Sequence, residues 1–225
     1  MAGVIQSFPN QWEYAVTKSN QFKTEQENFW AGEFGTQYIE RNKGDTLLAS
    51  NLFFFAKSLR GARGLKSCIE FGANIGMNLK ALNLLYPGID AHAIEINVDA
   101  AKLLSTVIPP SNVHNSSILD FSSPRQWDLT LIKGVLIHIN PQVLPQVYDK
   151  LVASTSRYLM VAEYYNPAPM AIPYRGHSDR LFKRDFAGEI MDRHNQLQLV
   201  DYGFAYHRDP NFPQDDITWF LLEKR

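Results

Sequence analysis

The sequence predicts a single doubly wound α/β domain: a mostly parallel, seven-stranded sheet, an antiparallel hairpin at its C-terminal end, and an N-terminal helical extension. Three observations predict it. Short apolar strands alternate with helical stretches from residue 67 to residue 194, a pattern that favours parallel strands joined by right-handed crossovers. The first strand runs straight into a glycine-rich turn that opens a helix, which is where such sheets bind ligands. The last two strands follow one another with no helix between them, so they pair antiparallel.

Composition agrees with one domain. The chain has 225 residues, 45% of them hydrophobic and 20% charged, enough for one sizeable core. Lys and Arg number 22 against 23 acidic residues, a net charge of -1. That balance gives no general attraction to nucleic acid or to an anionic membrane, so a small-molecule partner is expected. The single cysteine, Cys68, excludes an intrachain disulfide framework, and its apolar neighbours mark it as a buried structural residue. Residues 1–10 lack the basic and apolar regions of a secretory leader, and the apolar run 52–56 is far too short to span a bilayer. A cytoplasmic location is the expectation. Heptads are absent and nothing in the sequence indicates the oligomeric state.

The elements follow in order. Residues 10–60 read as helical with polar breaks, interrupted by Gly32 and Gly35 and closed by a turn at 61–64. Strand 67–71 leads through the glycine turn to helix 77–85, which Pro87-Gly88 ends. Strand 90–96, helix 98–107, a short strand 113–115 and strand 127–132 come next. Helix 141–154 opens on proline. A fifth strand spans 157–163, a helix 185–194, and the closing strands 197–206 and 216–223. The chain thus divides into a helical cap, 1–60, and a ligand-binding core, 61–225, with a substrate loop around 164–184.

Chemistry concentrates at the strand ends. In Glu70-Phe71-Gly72-Ala73-Asn74-Ile75-Gly76 the spacing is not the G-x-G-x-x-G that cradles a pyrophosphate, and a carboxylate precedes the turn. Glu70 repels phosphate but suits the ammonium group of S-adenosylmethionine (SAM), while Gly72, Ala73, Asn74 and Gly76 let a ligand approach the backbone. Glu95, ending the second strand with Ile96 beside it, suits ribose hydroxyls, and Asn97 stands close by. Ser117 and Ile118 are expected at the edge and face of an adenine ring, with Asp120 as an alternative contact. Lys133 and Gly134 end the fourth strand beside the reacting group. His138 follows them and suits either a general base or a buttress of its loop. Single cysteine and scattered histidines give no metal-ligand pattern.

A parallel sheet closed by a terminal hairpin is the signature of class I methyltransferases, a Rossmann-like fold. Beyond that, Phe29-Trp30-Ala31-Gly32-Glu33-Phe34-Gly35 with Tyr38-Ile39-Glu40-Arg41-Asn42, the glycine turn, and Tyr174-Arg175-Gly176-His177-Ser178-Asp179-Arg180-Leu181-Phe182-Lys183-Arg184-Asp185-Phe186 resemble the pseudaminic acid biosynthesis-associated methylases. The resemblance implies a SAM-dependent methyltransferase of bacterial surface-sugar pathways, releasing S-adenosyl-L-homocysteine.

Physically, Trp30, Phe34 and Tyr38 recur at helical spacing and serve equally as a core stripe. With Arg41 and Asn42 they suit a lid holding the cofactor and its carboxylate. Glu163, Tyr164 and Asn166 end the fifth strand at the binding edge, and Tyr174, Arg175, Lys183 and Arg184 gather donors and positive charge beyond it, suiting an anionic acceptor such as a sugar acid or nucleotide sugar. His138, His177 and Tyr165 are the candidates for moving an acceptor proton. A hydroxyl or an amine acceptor, another small acid, amino acid or peptide, a NAD-dependent oxidoreductase or epimerase, and a non-catalytic SAM-binding protein all stay open at this point.

Overall fold

A computed structural model describes residues 22–225. The expectations for residues 1–21, including the start of the helical extension, lie outside the described residues. Helix α1 (Glu25–Ala31) begins where Thr24 and Glu27 form a reciprocal capping box, satisfying two of the N–H groups a helix start leaves open. A break at Gly32 separates it from α2 (Glu33–Tyr38), and α3 (Asp45–Ser58) follows.

The sheet begins with β1 (Ser67–Phe71), followed by α4 (Met77–Leu85), β2 (Asp90–Ile94), α5 (Val98–Leu104) and the short β3 (Val113–His114). Next come β4 (Trp127–Lys133), α6 (Leu144–Ser154) and β5 (Thr155–Glu163). These five strands pair in parallel. A two-stranded ribbon, β6 (Met170–Ala171) with β7 (Phe182–Lys183), interrupts them before α7 (Phe186–Arg193). The strands β8 (Leu197–Ala205) and β9 (Ile217–Lys224) close the chain as an antiparallel pair, β9 lying antiparallel against β5. Seven strands run in the order β3-β2-β1-β4-β5-β9-β8. Chain order reverses between β1 and β4, the place where a doubly wound sheet opens a crevice.

Two apolar layers flank the sheet. Phe54 and Phe55 of α3, Leu59 just after it, and Leu79 and Leu82 of α4 pack with Leu129, Leu131 and Trp219 on one face. Leu144, Val147 and Leu151 of α6 and Phe186 and Ile190 of α7 pack with Ile69, Ile132 and Val161 on the other. Central strands buried on both faces read as continuous apolar runs, which is why β1 and β4 stood out in the sequence.

Three details differ from expectation. The second strand stops at Ile94, because the chain turns for Glu95 to accept the Asn74 and Asn97 N–H groups. The helix expected over 141–154 opens as a 3-10 turn, Pro141–Val143, before α6. The loop expected over 164–184 holds the β6–β7 ribbon and the tight turn Tyr174-Arg175-Gly176-His177, with Arg175 at φ 47° and Gly176 at φ 84°. Successive left-handed residues are those of a hairpin turn.

Candidate active site

The glycine turn after β1 sets the geometry. Gly72 has φ 77°, and a Cβ there would stand 2.7 Å from Val135 Cγ2. Asn74 is left-handed as well, at φ 49°, a conformation that asparagine tolerates better than most residues. Glu95 holds this turn: Oε2 accepts the Asn74 N–H at 2.7 Å and Oε1 accepts the Asn97 N–H at 2.7 Å. Each oxygen keeps a second lone pair.

A cavity of about 1330 Å³, counting its open mouth, lies over the carboxyl edge of the sheet. Among the expected site residues, Trp30, Tyr38, Gly72, Ala73, Asn74, Glu95, Ile96, Ser117, Ile118, Lys133, Gly134 and His138 line it. It spans the crevice from Ile118 and Leu119 on one side to Asn51, Asp215 and Ile217 on the other.

Its roof is α1 and α2. The Ser117 hydroxyl donates to Glu27, Gln26 Nε2 donates to the Asp179 carbonyl at 3.0 Å, and the buried Arg180 pairs with Glu25 at 2.9 Å. Asn97 caps α5 and also directs its Nδ2 toward the carbonyls of Trp30, Ala31 and Gly32 at 3.3–3.4 Å. The 174–177 turn leans on the same roof. His177 lies 5.5 Å from the Phe29 ring and Tyr174 lies 6.3 Å from Phe34.

Electrostatics differ sharply along the cavity. Glu70 is fully buried behind the lining, and desolvation pushes its pKa up to about 8, against a 2.6 Å hydrogen bond from Asn78. Glu163 is likewise raised by burial to about 7, with Oε1 accepting the Val135 and Leu136 N–H groups at 3.0 and 2.9 Å. It therefore anchors the turn that presents Gly134 and His138. Burial lowers His138 to about 4, so its ring is neutral near pH 7. Nδ1 stands 2.7 Å from the Arg180 carbonyl, which places the proton on Nδ1 and leaves the Nε2 lone pair.

Several expected residues lie elsewhere. Arg41, expected to hold a cofactor carboxylate, is exposed and outside the lining, on a 3-10 turn that faces solvent. Tyr165 is 42% exposed and packs 6.2 Å from Phe220, so it does not reach the cavity. Asn166 donates to the Ala168 carbonyl at 2.6 Å, and Gly76 starts α4 behind the lining. Tyr164 is half-buried, and Asp215, which lines the cavity, acts on it electrostatically.

The cations of the distal block are engaged by the protein. Arg175 lies 5.8 Å over Phe34, Lys183 lies 5.4 Å over Tyr164, and Arg184 pairs with Glu189 at 2.7 Å. None of the three lines the cavity, which removes that block's support for an anionic acceptor. Asp120 pairs with Lys23 at 2.5 Å outside the lining.

Sequence reasoning missed Gln26, Glu27, Asn51, Asn78 and Asp215. The capping signature Thr24-x-x-Glu27 was readable in the sequence; the others reach the cavity only through tertiary packing.

The topology has counterparts among solved structures. The chain has the Rossmann-like methyltransferase fold. A SAM-dependent methyltransferase from Leishmania major superposes with a TM-score of 0.64 at 14% identity, over 89% of this chain and 81% of that one. A SAM-dependent methyltransferase from Archaeoglobus fulgidus gives 0.61 at 13% identity, over 86% and 100%. Magnesium protoporphyrin IX methyltransferase from Synechocystis, solved with SAM bound, gives 0.60 at 14% identity, over 92% and 100%. No protein-family model matches the chain, and neither does any curated protein. Among the described residues, no helix is long and apolar enough to cross a membrane, and no group of three or more His, Cys, Asp or Glu could hold a metal ion.

Proposed function

We propose that this chain is a SAM-dependent methyltransferase that methylates a hydroxyl or an amine of a small polar acceptor. The observation that carries this reading is the cavity itself, which runs from Ser117 past Glu95 and the glycine turn to Lys133 within this fold. The residues present suit the cofactor. Asn74 Oδ1 and Trp30 Nε1 belong to lining residues yet are buried without a partner, a costly state that a polar ligand relieves. A Cβ at Gly134 would meet nothing within 4 Å, so glycine there keeps the wall clear beside the lining.

In this reading Glu95 accepts ribose hydroxyls with its spare lone pairs, and Ser117 and Ile118 border the adenine. Buried Glu70 acts through Asn78, which lines the cavity. SAM supplies an activated methyl group when bound, so the chain's task is alignment. His138, with Trp30 at 4.6 Å and Tyr174 at 5.4 Å from its ring, shapes the acceptor wall. Its neutral Nε2 is a weak base that takes a hydroxyl proton as the new bond forms; an amine acceptor needs only to enter unprotonated.

A sugar acid or nucleotide sugar is the acceptor we favour. It rests on the likeness to the pseudaminic acid-associated methylases, and a cytoplasmic setting goes with it. Helices α1 and α2 act as the lid. Calorimetric titration with SAM, S-adenosylhomocysteine and NAD tests the reading. Saturable binding of the two adenosyl ligands, weakened by Glu95→Ala, is expected; preference for NAD, or no binding at all, rejects it.

A further inference from the structure

Lys133 ends β4 and is the one Lys or Arg among the described residues that lines the cavity. Its Nζ makes no ion pair or hydrogen bond with any described residue and lies 5.5 Å from the centre of the Phe54 ring. Glu70, Asp215 and Glu163 act on it only over longer distances. Burial raises the pKa of Glu70 and Glu163 and lowers that of Lys133, so none of the three is held in its charged form by a close partner.

One helical turn before Phe54, on the same face of α3, stands Asn51. It is 2% exposed and lines the cavity, and its Oδ1 accepts from Gln214 Nε2 at 2.9 Å. The two amide N–H donors are left over, and no described residue accepts from them.

An ammonium and an amide donor that line one cavity without acceptors form a receptor for a carboxylate, the group that makes short, charge-assisted bonds to both. Their position says which carboxylate. Lys133 follows Leu131 on the face of the sheet that packs against α3 and α4, where Asn78 stands in the first turn after the glycine loop. Ile118, next to Ser117, packs on the opposite face. With adenosine between Glu95 and Ser117, the amino-acid end of the cofactor crosses the glycine turn and enters the α3 side.

We propose that Lys133 and Asn51 together receive the α-carboxylate of the bound cofactor, the role expected of Arg41. This rests on the methyltransferase reading. It also frees the wall formed by Trp30 and His138 for the acceptor.

Calorimetry with two ligands tests it: S-adenosylhomocysteine, and its decarboxylated analogue 5′-(3-aminopropylthio)-5′-deoxyadenosine, which keeps the ammonium. Lys133→Met and Lys133→Gln are expected to weaken S-adenosylhomocysteine about 10- to 100-fold and to leave the analogue unchanged. Asn51→Asp, isosteric but acidic, follows the same pattern, and Arg41→Ala changes neither. Binding of the analogue shows that each variant is folded. Wild-type affinity for S-adenosylhomocysteine in both Lys133 variants overturns the proposal, as does equal loss of both ligands. Wild-type protein that binds neither ligand takes down the cofactor reading itself, and this assignment with it.

Discussion

Burial decides the protonation of the two carboxyl groups that end β1 and β5. Glu70 sits near 8 and Glu163 near 7, against the ordinary 4.5. A carboxyl whose folded pKa is raised stabilises fully below the unfolded value and loses that contribution as pH rises through the folded one. We therefore expect the unfolding free energy to fall most clearly between pH 6.5 and 8, each group adding a slope of up to about 1.4 kcal/mol per pH unit. Below 6.5 the rings of His92, His114 and His138, all held below their ordinary value by desolvation, oppose it. Urea titrations across that range check the slope, and Glu70→Gln should flatten it. Gly72 makes a second residue-level case. Alanine there must hold φ 77° and press on Val135, so Gly72→Ala should cost about 1–3 kcal/mol and weaken S-adenosylhomocysteine; a variant that melts and binds like wild type would contradict this geometry. Glu95 and the glycine turn were legible in sequence because both are local features of a strand end. Arg41 was misplaced because helical spacing does not say which way a 3-10 turn faces.

Among the elements, α1 is the one held mainly from outside itself. It spans seven residues, too few for an isolated helix to persist in water. Its hold on the core comes from the Arg180 pair, the Asp179 carbonyl, Ser117 and the Asn97 fan. Arg180→Ala should raise amide hydrogen exchange across residues 25–31 while the β1–β4 amides stay protected; uniform protection would show that the pair adds nothing. Asn97→Ala removes a helix cap as well as the tether, and should lower stability by about 1 kcal/mol, read from the denaturation midpoint. The β6–β7 ribbon escaped sequence reading because two-residue strands carry no alternation to detect. The 174–177 turn lay inside the expected substrate loop, and its docking on Phe29 and Phe34 was not foreseeable from spacing.

For the molecule as a whole, a mostly parallel sheet ending in an antiparallel pair was readable, since apolar runs, glycine turns and the missing last crossover all write themselves locally; the strand order β3-β2-β1-β4-β5-β9-β8 is set by tertiary packing. What closes the cavity was not readable: Gln26 and Asp179 stand 153 positions apart. In the lid reading proposed above, that closure would govern time as well as affinity. Helix α1 is fastened at one side to Ser117 and at the other to Asp179 and Arg180; if it is the lid we propose, entry past it waits on a fastening letting go. Stopped-flow association with S-adenosylhomocysteine should then reach a ceiling that further ligand cannot raise, and Arg180→Ala should lift that ceiling. A rate that climbs linearly at every concentration would mean the doorway stands open. On the expected outcome, the speed of the protein is set by two latches far from any reacting atom, and selection for a faster or slower enzyme can act there without touching its chemistry.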